Sequence, residues 1–247
     1  MNLLELSNVS HVYGDVLKSR GLDNLSLTIQ KGEFVAVMGP SGSGKSTLLN
    51  VISGILPATS GSVLVTGRNI ANLNDEEAAL FRRNTLGFVF QDFNLVETLT
   101  VRENIMLPLM FKNKKVKSMK AKSEKVAESL GIAHVLNKRT QEISGGQTQR
   151  TAIARAIVHQ PELLLADEPT GNLDSANSEE VMKIFENLNR NYGMSILLVT
   201  HDAKTASYSE RVVFIKDGKI YNEIRKGNDL IEYRENILNV LNVIGGV

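Results

Sequence analysis

The sequence predicts an α/β fold with an N-terminal antiparallel β region and an inserted α-helical subdomain. Two observations lead there. Short β-like runs punctuated by glycine are joined, late in the chain, by an amphipathic helical stretch, so the order reads strand, crossover helix, strand. From about Asp92 to Ile157 the pattern instead turns mostly helical, dividing the strand-rich part in two.

Taken in order, the early strand-like runs are "LSLTI", "FVAVMG", "SVLVTG" and "LGFVFQ". The helical stretch carries a capping box, Thr100 and Glu103 in "TVRE". Strand-like runs resume at "ELLLAD", "SILLVT", "RVVFI" and "KIYNEI". Between the first two of these, Val181, Ile184, Phe185 and Leu188 fall at i, i+3, i+4 and i+7 of a helix that ends near Gly193. The division that follows is one domain over 1–225, with 92–157 as its inserted helical subdomain, and a C-terminal helical tail over 226–247. In the tail, Ile237, Leu238, Leu241 and Ile244 lie roughly on one side, a face that suits packing on the protein's own domain.

Composition narrows the classes. A chain of 247 residues accommodates one large domain or one domain with an inserted lobe. At 42% hydrophobic and 22% charged it has the make-up of an ordinary soluble globular protein. A net charge of +1 lacks the basic excess of a nucleic-acid binder, so no nucleic-acid partner is expected. The absence of cysteine excludes disulfides and thiolate metal sites. The opening "MNLLELSNVSHVYG" has no signal-peptide pattern, and no run approaches about 18 uninterrupted apolar residues. A membrane connection must therefore run through a partner or the surface. Within the insertion, "KNKKVKSMKAK" holds six lysines from Lys112 to Lys122. It reads as a solvated face, or as a patch toward anionic headgroups or an acidic partner.

The strongest local signal is "GPSGSGKST", Gly39 to Thr47, which fits G-x-x-x-x-G-K-[ST] between an apolar strand and an apolar helix. Gly42 and Gly44 allow the backbone to curl so that amides point at phosphate oxygens. The helix beginning near Lys45 adds unpaired amides and its positive end. Lys45 is placed to reach β- and γ-phosphates, and the Ser46 hydroxyl to ligate Mg²⁺. "ELLLADE" supplies a carboxylate for the metal at Asp167, while Glu168, pointing differently, is placed to accept a proton from attacking water. His201 in "LLVTHD" has two readings, a hydrogen bond to the γ-phosphate or a structural bond to loop carbonyls. Gln91, where a strand-like run meets the insertion, suits a contact with Mg²⁺ or its water.

One stretch remains, "ISGGQTQR", polar and followed at once by the helix-like "TAIARAIV". With it the motifs resemble, in content and order, the ATP-binding-cassette (ABC) ATPase family, whose signature is usually written LSGGQ. The resemblance extends from the amino terminus to about Asn222. It implies a P-loop NTPase core of RecA-like type that hydrolyses ATP with Mg²⁺. It makes Gly39, Ser41, Gly42, Gly44, Lys45, Ser46 and Thr47 the Walker A loop and Gln91 the Q-loop. Asp167 and Glu168 become Walker B with the catalytic glutamate, Asp174 the D-loop and His201 the switch histidine. Tyr13 is implied to stack on adenine, although an aromatic beside a glycine also suits a core. A homodimer formed with ATP is implied, in which Ser144, Gly146 and Gln147 of one chain meet the nucleotide on the other. Ile143 stands where leucine is commoner, Gly171 and Asn172 where many members have "SA", and Thr148 and Thr151 vary the end of the signature.

"DEPTGNLD" and "GFVFQDFNLVETLTVRENIMLPL" resemble the macrolide-export, lipoprotein-release and bacitracin-export branch. "LVTHDAKTASYSERVVFIKDGKIYNEI" and the tail ending "ILNVLNVIGGV" are similar to the bacitracin-export type. That resemblance implies an integral-membrane permease as partner, a place at the cytoplasmic face of the plasma membrane, resistance to cell-wall-targeting peptide antibiotics, and a sensor kinase reached through the permease. Two alternatives stay open: a nucleotide-gated regulatory subunit of a membrane sensor complex, and a non-transport ATPase acting on nucleic acid or ribosomes.

Overall fold

The computed structural model describes residues 1–14, 19–111 and 115–245. At its centre is a six-stranded sheet in the order β10 (Lys219–Arg225), β9 (Arg211–Lys216), β3 (Phe34–Met38), β8 (Ser195–Val199), β7 (Leu163–Asp167), β6 (Leu86–Val89). All neighbours pair in parallel except β10, which closes one edge antiparallel to β9. Both faces are covered, which explains the near-continuous apolar runs. Phe34, Ala36 and Met38 of β3 enter one core with Leu164 and Ala166, while Val35 and Val37 enter the other with Leu163 and Leu165.

The second core is shared with a four-stranded antiparallel sheet, β2 (Ser19–Gln30), β1 (Asn2–Tyr13), β4 (Ser60–Val65) and β5 (Arg68–Asn69). Helix α1 (Lys45–Ile52) contributes Leu48, Leu49 and Ile52 to the same core. Arg211 ties the sheets together from a buried position. It donates to Glu33 at 2.8 and 3.3 Å, to Glu223 at 2.9 Å and to the Thr28 carbonyl at 2.6 Å. A buried guanidinium is tolerable only with its donors matched in this way.

Two elements escape the sequence pattern. Strand β1 shifts register between Leu6 and Val9, where Asn8 takes φ 50°, so its alternation breaks partway. Helix α2 (Asp75–Thr85) lies in the part read as strands and buries only Ala78 and Phe81. It is held instead by a capping box between Asn74 and Glu77, with acidic residues in its first turn and arginines in its last.

The helices between β6 and β7 are α3 (Val101–Met110), α4 (Val116–Ser129) and α5 (Gly145–Ile157). Thr100 and Glu103 form the expected capping box of α3. Of the lysine run, Lys112 and Lys114 lie outside the described residues; Lys115, Lys117 and Lys120 are exposed, and α4 packs through Met119, Ser123 and Ala127. Helix α6 (Ser175–Tyr192) buries Val181, Phe185 and Leu188 with Ile184 at the margin, and ends at Gly193 with φ 64°. After the short α7 (Ala203–Ala206), the tail forms α8 (Leu230–Gly245). Its buried face is Tyr233, Ile237 and Ile244, flanked by Val240 and Leu241. Leu238 is a correction: it is 48% exposed, lying about 100° around the helix from Ile237. Among the described residues no helix is long and apolar enough to cross a membrane.

Candidate functional site

The sheet order explains how distant motifs meet. The glycine loop follows β3, Gln91 follows β6, Asp167 and Glu168 close β7, and His201 follows β8. These strands are parallel members of one sheet, so all the segments emerge at the same edge. Strand β3 inserts between β8 and β9, which makes this the kind of topological switch point where α/β sheets bind ligands.

The loop's backbone is unusual. Gly42 and Gly44 have φ 75° and 110°, in the region that favours glycine. Gly44 precedes α1 without any side-chain cap, leaving the helix's first amides to be met by something else. Gly39 packs so closely on the Ile215 carbonyl that a Cβ would collide with it. Ser41 and Ser46 are exposed at the loop's rim and Thr47 is buried. The Lys45 ammonium donates to the Gly39 and Pro40 carbonyls at 2.9 and 2.8 Å. Burial pushes Lys45 below the usual lysine value, opposed by the charges of Glu168 and Asp167. Tyr13 stands over this depression, partly exposed, with its hydroxyl 3.0 Å from Thr47 Oγ1 and its ring edge-on to His11. It is a wall of the phosphate loop and no part of the core.

The two acidic neighbours diverge. Burial pushes the Asp167 carboxyl up, the Glu168 charge adds to this, and Lys45 opposes it. Glu168 has φ 46°, uncommon for a residue with a long side chain, and its amide is held by the Val199 carbonyl at 2.9 Å. That turn sends its Oε1 to within 2.9 Å of His201 Nδ1. His201 therefore bonds the carboxylate, and no bond to a loop carbonyl is present among the described residues.

The residues present suit Mg²⁺. Asp167, half-buried and with no hydrogen bond to its carboxylate among the described residues, is a charge that a cation would relieve. Ser46, Gln91 and Asp167 form an all-oxygen donor set, the preference of a hard cation. Among the described residues no cluster of three His, Cys, Asp or Glu forms, so a cation here would lean on phosphate oxygens, as Mg²⁺ commonly does.

Asn172 bonds Gln91, and Arg155 holds the turn just after it, without either being a candidate by sequence. Arg155, on α5, donates to the Phe93 carbonyl at 2.8 Å and at 2.5 Å to that of Asn94. Those two residues have φ 59° and 49°, so Arg155 pins a left-handed turn. Nothing local marks Arg155, since its partners lie 61 and 62 residues away.

Other predicted residues are elsewhere. Ser144 caps α5 and Gln147 completes the box: Ser144 Oγ accepts from the Gln147 amide at 3.4 Å, and Gln147 Oε1 from the Ser144 amide at 3.1 Å. Asp174 caps α6 through Asn177 at 2.8 Å. Gly146 lies so close to Asn177 Oδ1 that a side chain would not fit. No hydrogen bond among the described residues runs from Ser144, Gly146, Gln147 or Asp174 to the glycine loop.

Known proteins resemble this chain in sequence and in fold. The ABC transporter family profile matches residues 22–171. The chain is 51% identical over 245 residues to the ABC transporter ATP-binding protein YxdL of Bacillus subtilis, covering 99% of this chain and 95% of the relative. It is 44% identical over 249 residues to the bacitracin export ATP-binding protein BceA of Halalkalibacterium halodurans, covering 100% of this chain and 98% of the relative. It resembles the ATP-binding cassette MJ0796 of Methanocaldococcus jannaschii, in a dimeric post-hydrolysis state bound to ADP and Pi. There the TM-score is 0.84 at 38% identity, over 91% of this chain and 99% of that one. The fold is thus a RecA-like P-loop NTPase core, to which the antiparallel β region and the helical insertion are added. The chain belongs to the ABC transporter family as an ATP-binding, ATP-hydrolysing subunit.

Proposed function

We propose that two copies of this chain close head to tail around two ATP molecules and so drive an integral-membrane permease. The observation that carries this is the separation inside one chain: among the described residues Ser144 and Gly146 make no hydrogen bond to their own glycine loop, and Ser144 bonds Gln147 instead. A capped helix start with two glycines is an anion-binding surface, and a second copy can supply its phosphate. The relative MJ0796 is dimeric in its solved structures, which supports the arrangement.

In this reading the loop amides from Gly39 to Thr47 cradle the phosphates, Lys45 leaves its two carbonyls for the β- and γ-oxygens, and Tyr13 stacks on adenine. Ser46, Asp167 and Gln91 hold Mg²⁺, which when bound draws charge from the phosphates. Water attacks the γ-phosphorus, its proton passes to Glu168, and the bond to the β–γ bridging oxygen breaks to leave ADP and phosphate. His201 holds Glu168 and faces the γ-phosphate. Gln147 and Asp174 complete the site from the opposite copy. Residues 1–225 act as the ATPase domain, with 92–157 as its helical lobe and 226–247 as a C-terminal helical tail, of which α8 packs on the domain.

The permease would seat in a cleft of about 800 Å³ beside Gln91, walled by Phe88, Phe90, Pro108 and Phe111 with Arg83 and Arg155 at its margins. Such seating places the chain at the cytoplasmic face of the plasma membrane. The resemblance to BceA supports the bacitracin-export type, acting in resistance to cell-wall-targeting peptide antibiotics, with a sensor kinase reached through the permease. Sedimentation of Glu168→Gln tests the dimer: monomer without nucleotide and dimer with Mg²⁺-ATP are expected. A monomer in both states, with an ATPase rate per chain independent of concentration, would overturn it. The antibiotic role predicts that losing this chain sensitises its host to such peptides, and that Glu168→Gln does not restore resistance.

A further inference from the structure

Gln91 leans on two residues that the proposed chemistry leaves unused, Gly171 and Asn172. The Asn172 amide meets the Gln91 turn three times. Its Nδ2 donates to the Gln91 carbonyl at 3.1 Å and to Asp92 Oδ1 at 3.0 Å, while its Oδ1 accepts from Gln91 Nε2 at 3.5 Å. The first two bonds settle which end of the asparagine is which, because both partners are acceptors and only an NH₂ can donate to them. Oδ1 must then face Gln91, and only the NH₂ end of Gln91 can answer it. This leaves Gln91 Oε1 at the far end of its amide, with no donor among the described residues. Gly171 clears the space: a Cβ there would sit 3.1 Å from both Cδ and Nε2 of Gln91.

A hard cation accepts the oxygen of an amide and gains nothing from its NH₂. A freely turning glutamine presents either end. We propose that Gly171 and Asn172 form a seat that turns the Gln91 amide so that its oxygen faces the divalent cation, which makes Asn172 a positioning residue for metal binding. The main-chain bond anchors the turn. The 3.5 Å contact, longer than an ordinary N–H···O bond, biases the amide's orientation yet yields when Gln91 moves. The inference rests on the proposed contact between Gln91 and the cation.

The test uses Mn²⁺ as probe, with electron paramagnetic resonance on the full chain loaded with a non-hydrolysable ATP analogue. Asn172→Ala removes the seat's hydrogen bonds, and Gly171→Ala presses on the amide instead. Each should raise the Mn²⁺ concentration for half-occupancy roughly three- to tenfold, the effect of one net hydrogen bond. Nucleotide affinity in EDTA and the melting temperature should not move. Gln91→Ala should raise the Mn²⁺ requirement by a similar factor, and adding Asn172→Ala to it should change nothing further. A response to Gln91→Ala with none to Asn172→Ala overturns the seat alone. No response to Gln91→Ala overturns the metal contact, and the seat with it. Effects that add in the double variant show Asn172 acting elsewhere and overturn the seat.

Discussion

Helices α1 and α5 both begin with glycine and a hydroxyl, and they finish that beginning in opposite ways. Gly44 leaves α1 with no side-chain cap and no acidic residue in its first turn. Ser144 closes α5 with a full capping box, and Asp174 caps α6 beside it. Unpaired amides at a helix start carry a positive end and wait for an anion. The capping box pairs the Ser144 and Gln147 amides and fixes the α5 start, which offers a phosphate an already shaped surface. One chain thus contains an open anion seat at the sheet edge and a closed surface on the helical lobe. In the proposed dimer, chemistry would belong to the first and assembly to the second.

The largest effects should fall at the sheet edge. Glu168→Gln keeps the size of the side chain and removes the carboxylate beside His201 that is proposed as proton acceptor. Loss of a positioned general base should slow turnover about 10²- to 10⁴-fold, roughly 3–5 kcal/mol, while Mg²⁺-ATP still binds. Asp167→Asn and Lys45→Ala should instead weaken Mg²⁺-dependent nucleotide binding before any chemistry. Nucleotide affinity and turnover for the three variants check this. Near-normal turnover in Glu168→Gln, together with normal Mg²⁺-ATP binding in Asp167→Asn, would exchange or remove the assigned roles.

Asp167 also gives the open seat a stability signature. Its carboxyl is raised in the folded chain by burial first and by Glu168 second. A raised carboxyl contributes stability that is complete below the unfolded value, and that is lost as pH rises through the folded one. Once ionised, Asp167 therefore weakens the nucleotide-free chain. Without nucleotide, Asp167→Asn should melt no lower than the unmodified chain at neutral pH, and its stability should decline less as pH rises from about 4 to 7. Thermal melts over that range are the measurement, and a clearly less stable Asp167→Asn would contradict the physical account of the site.

What could be read from sequence divides along similar lines. The glycine loop, the α3 capping box and the α6 face are legible because their defining residues are neighbours or lie at fixed helical spacing. Helix α2 is not, because charge and capping hold it with only two buried residues and no apolar stripe forms. Strand β1 is not, because the left-handed Asn8 breaks its alternation. In the tail the period is correct but the centre of the face is not, since the partners of Tyr233 and Ile237 are decided by packing. The grip of Arg155 on Phe93 and the tie of Arg211 to Glu33 cross 62 and 178 residues. No local pattern contains them.

The closed surface should respond more gently than the open seat. Ser144→Ala removes the cap of α5 and should cost about 0.5–2 kcal/mol of stability. The same change should weaken ATP-driven dimerisation of the Glu168→Gln chain while leaving nucleotide binding to the monomer intact. Sedimentation and nucleotide titration on that background separate the two. Equal weakening of both would mean that Ser144 acts within its own chain, and the contrast between α1 and α5 would lose its meaning.

The smallest effect is expected at the far side of the lobe, in α4. Lys115, Lys117 and Lys120 are exposed and make no ion pair among the described residues, while the helix is held by Met119, Ser123 and Ala127 on its other face. Replacing all three with glutamine keeps helix propensity and should change stability by less than about 0.5 kcal/mol. ATPase rate and recovery with membranes should both stay level. The competing outcome is large enough to be seen clearly. A lysine near an anionic leaflet contributes about 1 kcal/mol, so losing three at such a surface would lower membrane partitioning on the order of a hundredfold. Flotation of the triple variant with vesicles containing phosphatidylserine, at matched protein levels, distinguishes a level result from that fall. A fall would move part of the assembly surface from the α5 start to the lysine-bearing helix, so the result fixes how much of the lobe takes part in assembly.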